Sequence, residues 1–439
     1  MRIRASDAAI ATGGLLLGPD VDVDGASFDS RSLQPGQLFV PIVAERNGHE
    51  YIDTAIAAGS PVFLTHETGQ ERHDATGIEV ADTGDALLAL AAWARQRLDA
   101  QVVGITGSVG KTTTKDFTAV ACGAGRRTRA NERSFNNDQG LPVTVLNAPD
   151  DTEVLILEMG MRGLGHIARL CDVARPDIGL VTVVGDAHTE LLGGLDGVAT
   201  AKGELIAALP STGTAVLNAD DERVAAMRRR TDASVVTFGA GGDVRVSDVR
   251  VDGMARATFR VETPWGRGDV RLAVPGAHMV TNAAGALAVA GVVGVDLDAA
   301  IDALATAAVS GMRMEMLTAP GGATIVNDAY NANPTSMRAA IDALASIEVR
   351  RRVAVLGLMG EISDPGPAHR SIADHARDRG VELVAVGTGL YGVDPVDDVV
   401  AALGDLDADT AVLVKASRAA GLERVVEALV RAPGSRSSG

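Results

Sequence analysis

Short, uninterrupted apolar runs recur along the middle of the chain and predict the strands of a parallel sheet. The clearest runs are residues 101–106, 154–157, 178–184 and 214–217. They are as short as strands and lack the polar alternation of a strand with one face in water, which is typical of strands buried on both faces. Helical stretches separate the runs, as a doubly wound α/β sheet requires.

The sequence before this region predicts a smaller α/β unit. Strand-like runs at 37–43 and 61–65 flank a helical stretch at 51–58. An Ala/Leu-rich segment with helical spacing, at 85–98, then leads into the central region. We therefore predict an N-terminal domain at residues 1–82.

The end of the central region has a different pattern. Residues 233–274 alternate in polarity and contain few helix formers, which predicts an antiparallel addition to the sheet. A long Ala-rich helix is predicted from about residue 281 to 293. The central domain is thus predicted to span residues 83–310.

A third α/β unit is predicted from Gly311 to the end of the chain. Its expected strands are residues 323–326, 353–357, 382–386 and 410–414. The predicted fold class is therefore α/β with three domains: a small N-terminal α/β domain, a central parallel-sheet domain and a C-terminal Rossmann-like α/β domain at 311–439.

Composition agrees with this division and excludes several functions. The 439 residues suggest about three domains, and the low aromatic content of 3% means that Ala, Val, Leu and Ile build the cores. A net charge of −17 argues against nucleic acid as the partner. Two cysteines, no apolar run of about 18 residues and no signal-peptide pattern predict a cytoplasmic protein without membrane insertion.

The first candidate site is the loop Thr106-Gly107-Ser108-Val109-Gly110-Lys111-Thr112-Thr113, which follows the predicted strand at 101–106. It fits the T-G-x-x-G-K-T variant of the phosphate-binding loop. Backbone amides at the start of the next helix cradle phosphate oxygens, Lys111 reaches the terminal phosphates, and the Thr112 hydroxyl can bind magnesium. The alternative is a glycine-rich turn with an incidental lysine. An Asn-Lys-x-Asp motif is missing from the sequence, which disfavours a GTPase.

A second group of candidates follows later strands of the central region. Glu158 ends one apolar run and is a candidate magnesium ligand, and His188 follows another and could bind metal or phosphate. Lys202 is one of only four lysines among 40 basic residues. Unlike arginine, a lysine amine can add carbon dioxide and form a carbamate, a bidentate anion that could hold a second magnesium ion. The alternatives are a solvated strand-end charge for Glu158, a structural role for His188, and codon bias as the reason why lysines such as Lys202 are rare.

Further candidate site residues are amide and charged side chains in loops. Asn136 and Asn137 lie in one loop, Asn282 begins the Ala-rich helix, and Arg313 opens the third unit. Asp328 follows a predicted strand and leads into Ala329-Tyr330-Asn331-Ala332-Asn333-Pro334. Proline excludes this run from a strand or helix interior, and it could be a plain turn. Lys415, at the end of a predicted strand, is either a substrate contact or a solvated strand end.

Taken together, these motifs resemble those of the Mur ligases of bacterial cell-wall synthesis, and within that family the ligases that add D-alanyl-D-alanine. The resemblance runs from about Asp29 to Leu429. The residues that carry it are Asp29-Ser30-Arg31, Gly36 to Val40, Asn47-Gly48-His49, Phe135-Asn136-Asn137, Gly140-Leu141-Pro142, Glu158-Met159-Gly160, Val184 to His188, Ala201 to Glu204 and, most selectively, Asp328 to Pro334.

The resemblance implies an ATP-dependent ligase with magnesium, acting on a UDP-muramoyl-tripeptide and D-alanyl-D-alanine through an acyl phosphate. It implies phosphate and metal contacts for Lys111 and Thr112, and magnesium contacts for Glu158 and His188. It also implies a carbamylated Lys202. The remaining implied roles are catalysis for Asn136, nucleotide binding for Asn282, Arg313 and Asp328, and substrate contacts for Ser30, Arg31, Asn137, Tyr330, Asn331 and Asn333.

Several positions depart from the family pattern, and other functions stay open at this stage. His278-Met279-Val280-Thr281-Asn282 has Met279 where an asparagine is common, and Asp138-Gln139 and the loop Gly357 to Ser363 also differ. The alternatives are a sister Mur ligase, a folylpolyglutamate-synthase-like ligase that adds one amino acid, or an inactive nucleotide-binding homologue. We expect a monomer whose partners are small-molecule substrates.

Overall fold

The computed structural model describes residues 1–68, 74–132, 135–185, 192–360, 362 and 364–431. The predicted α/β class is confirmed, because three main sheets follow one another along the chain with helices on their faces. None of the helices in these ranges combines the length and the apolar character needed to cross a bilayer.

The N-terminal unit is built on a five-stranded, mainly parallel sheet in the order β2-β7-β6-β5-β4. The predicted strand at 61–65 is confirmed, whereas the one predicted at 37–43 is only two residues long. The elements are β1 (Arg2–Arg4), α1 (Ala5–Thr12), β2 (Leu15–Leu17), β3 (Asp22–Asp24), β4 (Ala26–Ser27), β5 (Leu38–Phe39), a 3-10 helix (Gly48–Tyr51), α2 (Ile52–Ala57), β6 (Val62–Thr65) and β7 (Thr76–Glu79).

The central unit contains a nine-stranded sheet in the order β16-β15-β14-β13-β12-β11-β8-β10-β9. Its first half consists of α3 (Thr83–Arg95), β8 (Gln101–Thr106), α4 (Lys111–Gly123), β9 (Thr128–Ala130), α5 (Gly140–Leu146), β10 (Val154–Glu158), α6 (His166–Ala174) and β11 (Ile178–Val181). These strands are parallel, as predicted, and their carboxyl ends meet at one edge, where the phosphate loop and Glu158 lie together.

The second half of the central unit corrects one prediction. It contains α7 (Leu195–Ala207), β12 (Thr214–Asn218), α8 (Glu222–Ala226), a 3-10 helix (Met227–Arg230), β13 (Ser234–Gly239), β14 (Val244–Val251), β15 (Arg256–Thr263), β16 (Gly266–Pro275), α9 (Met279–Val292) and α10 (Leu297–Ala305). The strands β14, β15 and β16 pair antiparallel, as expected for 233–274. By contrast, β13 runs parallel to β12, because the chain crosses over through α8 before it rejoins the sheet.

The third unit is a five-stranded sheet in the order β17-β18-β21-β19-β20. All four predicted strands are present, and the antiparallel edge strand β17 was not predicted. The elements are β17 (Glu315–Thr318), β18 (Thr324–Asn327), α11 (Pro334–Ala345), β19 (Arg351–Leu356), α12 (Pro365–Asp378), β20 (Glu382–Ala385), α13 (Val399–Leu403), β21 (Thr410–Lys415), a 3-10 helix (Arg418–Ala420) and α14 (Glu423–Val430). The domain limits at 82/83 and 310/311 stay predictions.

The Asn147 side chain of the central unit forms two hydrogen bonds with the N-terminal unit. The Asn147 Oδ1 atom accepts a hydrogen bond from the Ala26 amide at 2.9 Å, and its Nδ2 atom donates to the Ala26 carbonyl at 2.9 Å. Gly25 makes room for this contact, since a Cβ atom there would lie 1.9 Å from the Asn147 oxygen. Asn147 follows α5, so the same helix connects the N-terminal unit to the loop of Asn136 and Asn137.

Candidate active site

A cavity of about 610 Å³ lies between the carboxyl edge of the central sheet and the third unit. It collects most of the residues predicted as site residues from sequence. Those that line it are Ser108, Val109, Gly110, Lys111, Thr112, Thr113, Asn136, Asn137, Glu158, Lys202, Asn282, Arg313, Asp328, Tyr330, Asn331 and Asn333. Thr106 is buried at the end of β8 next to Gly107, and both precede the lining part of the loop. His188 lies outside the described residues.

The phosphate loop has the geometry of an anion cradle. It joins β8 to α4, which begins at Lys111. Gly110 precedes the helix with a φ of 84°, and no side chain caps the first-turn amides, which leaves them available to an anion. Gly107 is required at its position because a Cβ atom there would lie 1.8 Å from the Thr182 Oγ1 atom. The Lys111 Nζ atom donates to the Gly107 carbonyl at 2.7 Å and so folds back over the loop.

Two oxygen ligands suited to magnesium are adjacent at the end of β10. The Thr112 hydroxyl donates to Glu158 Oε2 at 2.6 Å, and the Asn136 amide donates to Glu158 Oε1 at 2.7 Å. Glu158 is buried, so its charge needs these donors or a cation. No group of three His, Cys, Asp or Glu residues within the described ranges could hold a metal. A hydroxyl and one carboxylate fit magnesium, which usually takes its other ligands from water and phosphate.

Lys202 occupies the cavity wall formed by α7. It is only 1% exposed, and no carboxylate in the described part of the chain lies within ion-pair distance of it. Burial, helped by the positive charge of Lys111, lowers the pKa of the Lys202 ammonium well below its usual value. The neutral amine is the form that attacks carbon dioxide, so the environment suits carbamate formation.

Third-unit residues form the facing wall and pair with one another. Lys415 Nζ donates to Asp328 Oδ2 at 2.5 Å and to the Asn331 carbonyl at 2.8 Å. Lys415 is therefore a buried member of this wall and not a solvated strand end. The Arg313 guanidinium lies 4.0 Å from the centre of the Tyr330 ring, a cation–π contact that fixes both side chains.

Other predicted residues have defined local roles. Asn333 is the N-cap of α11, where its side chain accepts from the Ser336 amide in a capping box, so its carboxamide oxygen is already engaged. Asn282 packs against the phosphate loop and accepts a hydrogen bond from Thr114 at 3.3 Å. Met279, which replaces the common asparagine, is buried beside it, with its sulfur 3.8 Å from the Asn282 nitrogen.

The predicted substrate contacts of the N-terminal unit lie outside the cavity. Arg31 forms a bidentate pair with Asp29, at 2.8 and 2.7 Å. The substrate contacts of Ser30 and Arg31 stay predictions, since neither residue lines the cavity. The two regions are nevertheless adjacent, because the Phe28 and Phe135 rings pack at 5.6 Å. Phe135 directly precedes Asn136, so a ligand held near Arg31 could extend along this loop towards Glu158.

The lining residues that were not predicted from sequence include two with basic side chains. Arg162 and His166 belong to the segment between β10 and α6 and line the cavity. Their signal in the sequence is a glycine-rich, polar stretch placed directly after a predicted strand end, the same signal that identified the phosphate loop.

Comparison with known proteins identifies relatives for nearly the whole chain. The model of the Mur ligase middle domain matches residues 105–290, and that of the Mur ligase glutamate ligase domain matches residues 312–435. A UDP-N-acetylmuramoyl-tripeptide–D-alanyl-D-alanine ligase of Mycobacterium tuberculosis is 38% identical, covering 92% of this chain and 91% of the relative.

Solved structures that resemble this chain include ligases of the same family. A UDP-N-acetylmuramoylalanyl-D-glutamyl-2,6-diaminopimelate–D-alanyl-D-alanyl ligase of Acinetobacter baumannii superposes with a TM-score of 0.86 at 27% identity, covering 98% of both chains. A MurF ligase of Thermotoga maritima in complex with ADP gives 0.81 at 27% identity, over 92% of this chain and 96% of that one. A folylpolyglutamate synthase of Mycobacterium tuberculosis gives 0.59 at 20% identity, covering 80% and 95%, a likeness of fold alone.

Proposed function

The chain belongs to the Mur ligase family, and from that premise we propose that it is the ATP-dependent ligase that joins D-alanyl-D-alanine to a UDP-N-acetylmuramoyl-tripeptide. The observation that carries the proposal is the cavity that brings the phosphate loop, Glu158 and Lys202 together with the third-unit wall around Asp328. By analogy with the Acinetobacter baumannii ligase, we propose a peptide that contains a glutamyl residue. The identity of its third residue is left open.

The site supports a reaction in two steps. The terminal carboxylate of the tripeptide attacks the γ-phosphate of ATP, which gives an acyl phosphate and ADP. The amine of D-alanyl-D-alanine then attacks the acyl carbon, and inorganic phosphate leaves. Both steps collect negative charge in one place, and fixed positive groups that meet this charge lower the barrier.

The residues of this chain supply that positive environment and the positioning. The amides at the start of α4 and the Lys111 ammonium hold the phosphates. Thr112 and Glu158 would hold magnesium, with Asn136 orienting the Glu158 carboxylate. Bound magnesium neutralises phosphate charge and aligns the γ-phosphate with the attacking carboxylate. The third unit closes the cavity, which protects the acyl phosphate from water.

Three further assignments belong to the proposal. Lys202 is carbamylated, and the carbamate, like His188, contributes to a magnesium site. The burial of Lys202, which lowers the pKa of its ammonium, supports this role. Asn282, Arg313 and Asp328 bind the nucleotide, while Ser30, Arg31, Asn137, Tyr330, Asn331 and Asn333 contact the substrates. The enzyme acts as a cytoplasmic monomer, in which residues 1–82 bind the UDP-sugar, 83–310 bind ATP and 311–439 present the incoming amine.

A three-substrate assay tests the proposal. Purified protein is incubated with ATP, magnesium, a UDP-muramoyl-tripeptide and either D-alanyl-D-alanine or single amino acids, and ADP and the peptide product are measured. We expect ADP and a pentapeptide product with the dipeptide only. Turnover with a single amino acid would identify a sister ligase, and no ADP with any acceptor would indicate an inactive homologue.

A further inference from the structure

The segment between β10 and α6 places two basic side chains in the cavity. Neither side chain has a role in the proposed reaction. Arg162 and His166 both line the cavity and are exposed to it. The segment starts directly after Glu158, the candidate metal ligand. Any group bound by these side chains would therefore lie in the same cavity as Thr112 and Glu158.

The backbone of this segment is held in place from two sides. The Glu204 carboxylate accepts hydrogen bonds from the Gly165 amide at 2.7 Å and the Ala168 amide at 3.0 Å, which ties the start of α6 to α7. On the other side, the Gly160 amide donates to the Asn136 carbonyl at 2.7 Å. The segment is thus fixed relative to both Lys202, two residues before Glu204, and the magnesium ligands.

The His166 ring has a defined orientation. Its Nδ1 atom accepts a hydrogen bond from the Arg162 amide at 3.2 Å, so the neutral ring carries its proton on Nε2. A donor N–H is then available on a ring that lines the same cavity as the Arg162 side chain. A guanidinium and an imidazole N–H in one cavity supply donors suited to a carboxylate.

Arg162 differs in its pairing from the other cations near it. Within the described residues, its guanidinium has no ion pair. Arg169, in α6, pairs with Asp85 at 2.7 Å and lies 3.7 Å from Asp138. In the facing wall, Lys415 is neutralised by Asp328. In a chain with a net charge of −17, a cavity-facing arginine without a carboxylate partner is matched to an anionic ligand.

The proposed substrate brings suitable anions to this place. A glutamyl residue within a peptide uses one of its two carboxyl groups in the chain and leaves the other free. A diaminopimelate residue at the end of the peptide likewise keeps one carboxylate that does not react. Phe135 packs on Phe28, and Asn136 bonds to Glu158. A substrate anchored by the N-terminal unit would therefore extend along this loop into the cavity that Arg162 and His166 line.

We propose that Arg162 and His166 form a binding site for a non-reacting carboxylate of the muramoyl peptide, and so help the enzyme select its peptide substrate. The inference rests on the proposed function, since it concerns the same substrate. The contact positions the peptide through one of its residues, while the terminal carboxylate attacks the γ-phosphate at the phosphate loop.

The test uses the full-length chain with Arg162→Met, and with Arg162→Lys as the conservative variant. We expect Arg162→Met to raise KM for the UDP-muramoyl-tripeptide roughly 10- to 100-fold, the loss of a charged hydrogen bond, with KM for ATP and D-alanyl-D-alanine unchanged. Arg162→Lys restores part of the loss. The matched control is Arg169→Met, which removes an exposed arginine that is already paired and leaves all three KM values unchanged.

Two peptide substrates identify which carboxylate is bound. If Arg162→Met has the same effect on tripeptides ending in diaminopimelate and in lysine, the glutamyl carboxylate is the ligand. If the effect occurs only with diaminopimelate, the ligand is the carboxylate of that residue. Calorimetric binding of UDP-muramoyl-tripeptide, without ATP, gives the same comparison independently of turnover.

Two results would overturn the inference. One is an unchanged KM and affinity for the tripeptide in Arg162→Met, and the other is an equal rise of KM for ATP, which would indicate a general disturbance of the site. The proposed function fails in a different way, namely when the unmodified chain forms no ADP with all three substrates. The two failures are therefore distinguishable.

Discussion

The two walls of the cavity each bury one lysine, and the two lysines have neighbours of opposite charge. Lys202, in the central unit, is 1% exposed and meets the positive charge of Lys111. Lys415, in the third unit, is 2% exposed and lies 2.5 Å from the Asp328 carboxylate. Both lysines are buried, but only Lys415 has a carboxylate partner among the described residues, so burial alone does not define the role of a lysine.

Each environment corresponds to a distinct task. A buried ion pair with good geometry fixes two segments in one arrangement, here the end of β21 and the residue after β18. Burial next to another cation lowers the pKa of an amine and so favours the neutral form that acts as a nucleophile or ligand. We therefore interpret Lys415 as a structural link across the third-unit wall and Lys202 as the reactive lysine.

The largest effect is expected for Lys202→Arg. A guanidinium keeps its charge and forms no carbamate, so we expect kcat/KM to fall by at least about 100-fold, as when one preorganised charged group is lost from a catalytic site. Steady-state ADP release measures this, and a thermal melt checks folding. Full activity in this variant would refute the carbamate role. In the unmodified chain, ¹³C-labelled carbon dioxide should give a carbamate signal that Lys202→Arg lacks.

For Lys415→Met the expected effect is on stability. Removal of one partner leaves the Asp328 charge uncompensated, and we expect the free energy of unfolding to fall by about 3–5 kcal/mol. Denaturant titration of the third-unit transition measures it. The double variant Asp328→Asn/Lys415→Met should recover part of the loss because neither charge remains. If the double variant is less stable than the single one, the pair is not the cause.

The smallest effect concerns His278, a half-buried residue close to the same pair. Burial, together with the charge of Lys415, lowers the pKa of the imidazole to about 4, while Asp328 and Asp342 oppose this shift. The unfolded chain, with a histidine pKa near 6.5, then binds a proton that the folded chain excludes. The free energy of unfolding should therefore fall as pH decreases from about 6.5 towards 4. His278→Gln should reduce that slope, and an identical slope in both proteins would contradict the assignment.

Much of the fold was predictable because its strands are continuous apolar runs. Residues 101–106 and 154–157 were recognised for that reason, and the motifs at their ends gave the phosphate loop and Glu158. The edge strand β17 was missed because Glu315 and Thr318 surround only two apolar residues, which is the pattern of a strand with little burial. The parallel direction of β13 depended on the crossover through α8, which residue alternation does not record.

Site residues were predictable where they belong to recognisable motifs, and contacts between distant side chains were not, because the fold alone creates them. Lys415 and Asp328 are 87 residues apart, so their pairing could not be inferred from local pattern. Arg162 and His166 were overlooked because their positions within a glycine-rich stretch do not match a known motif. The structure supplied their orientation towards the cavity.

The contact of Asn147 with Ala26 has a consequence for how this sequence can change over time. A methyl group at Gly25 would collide with the Asn147 oxygen, and replacement of Asn147 by an apolar residue would leave the Ala26 amide and carbonyl without their partners. Each substitution is thus selected against, and changing both positions together does not help, because Gly25 also has a φ of 80° and Ala26 would still lose its partners. In an alignment of relatives, we expect glycine at position 25 and asparagine at position 147 to be retained together.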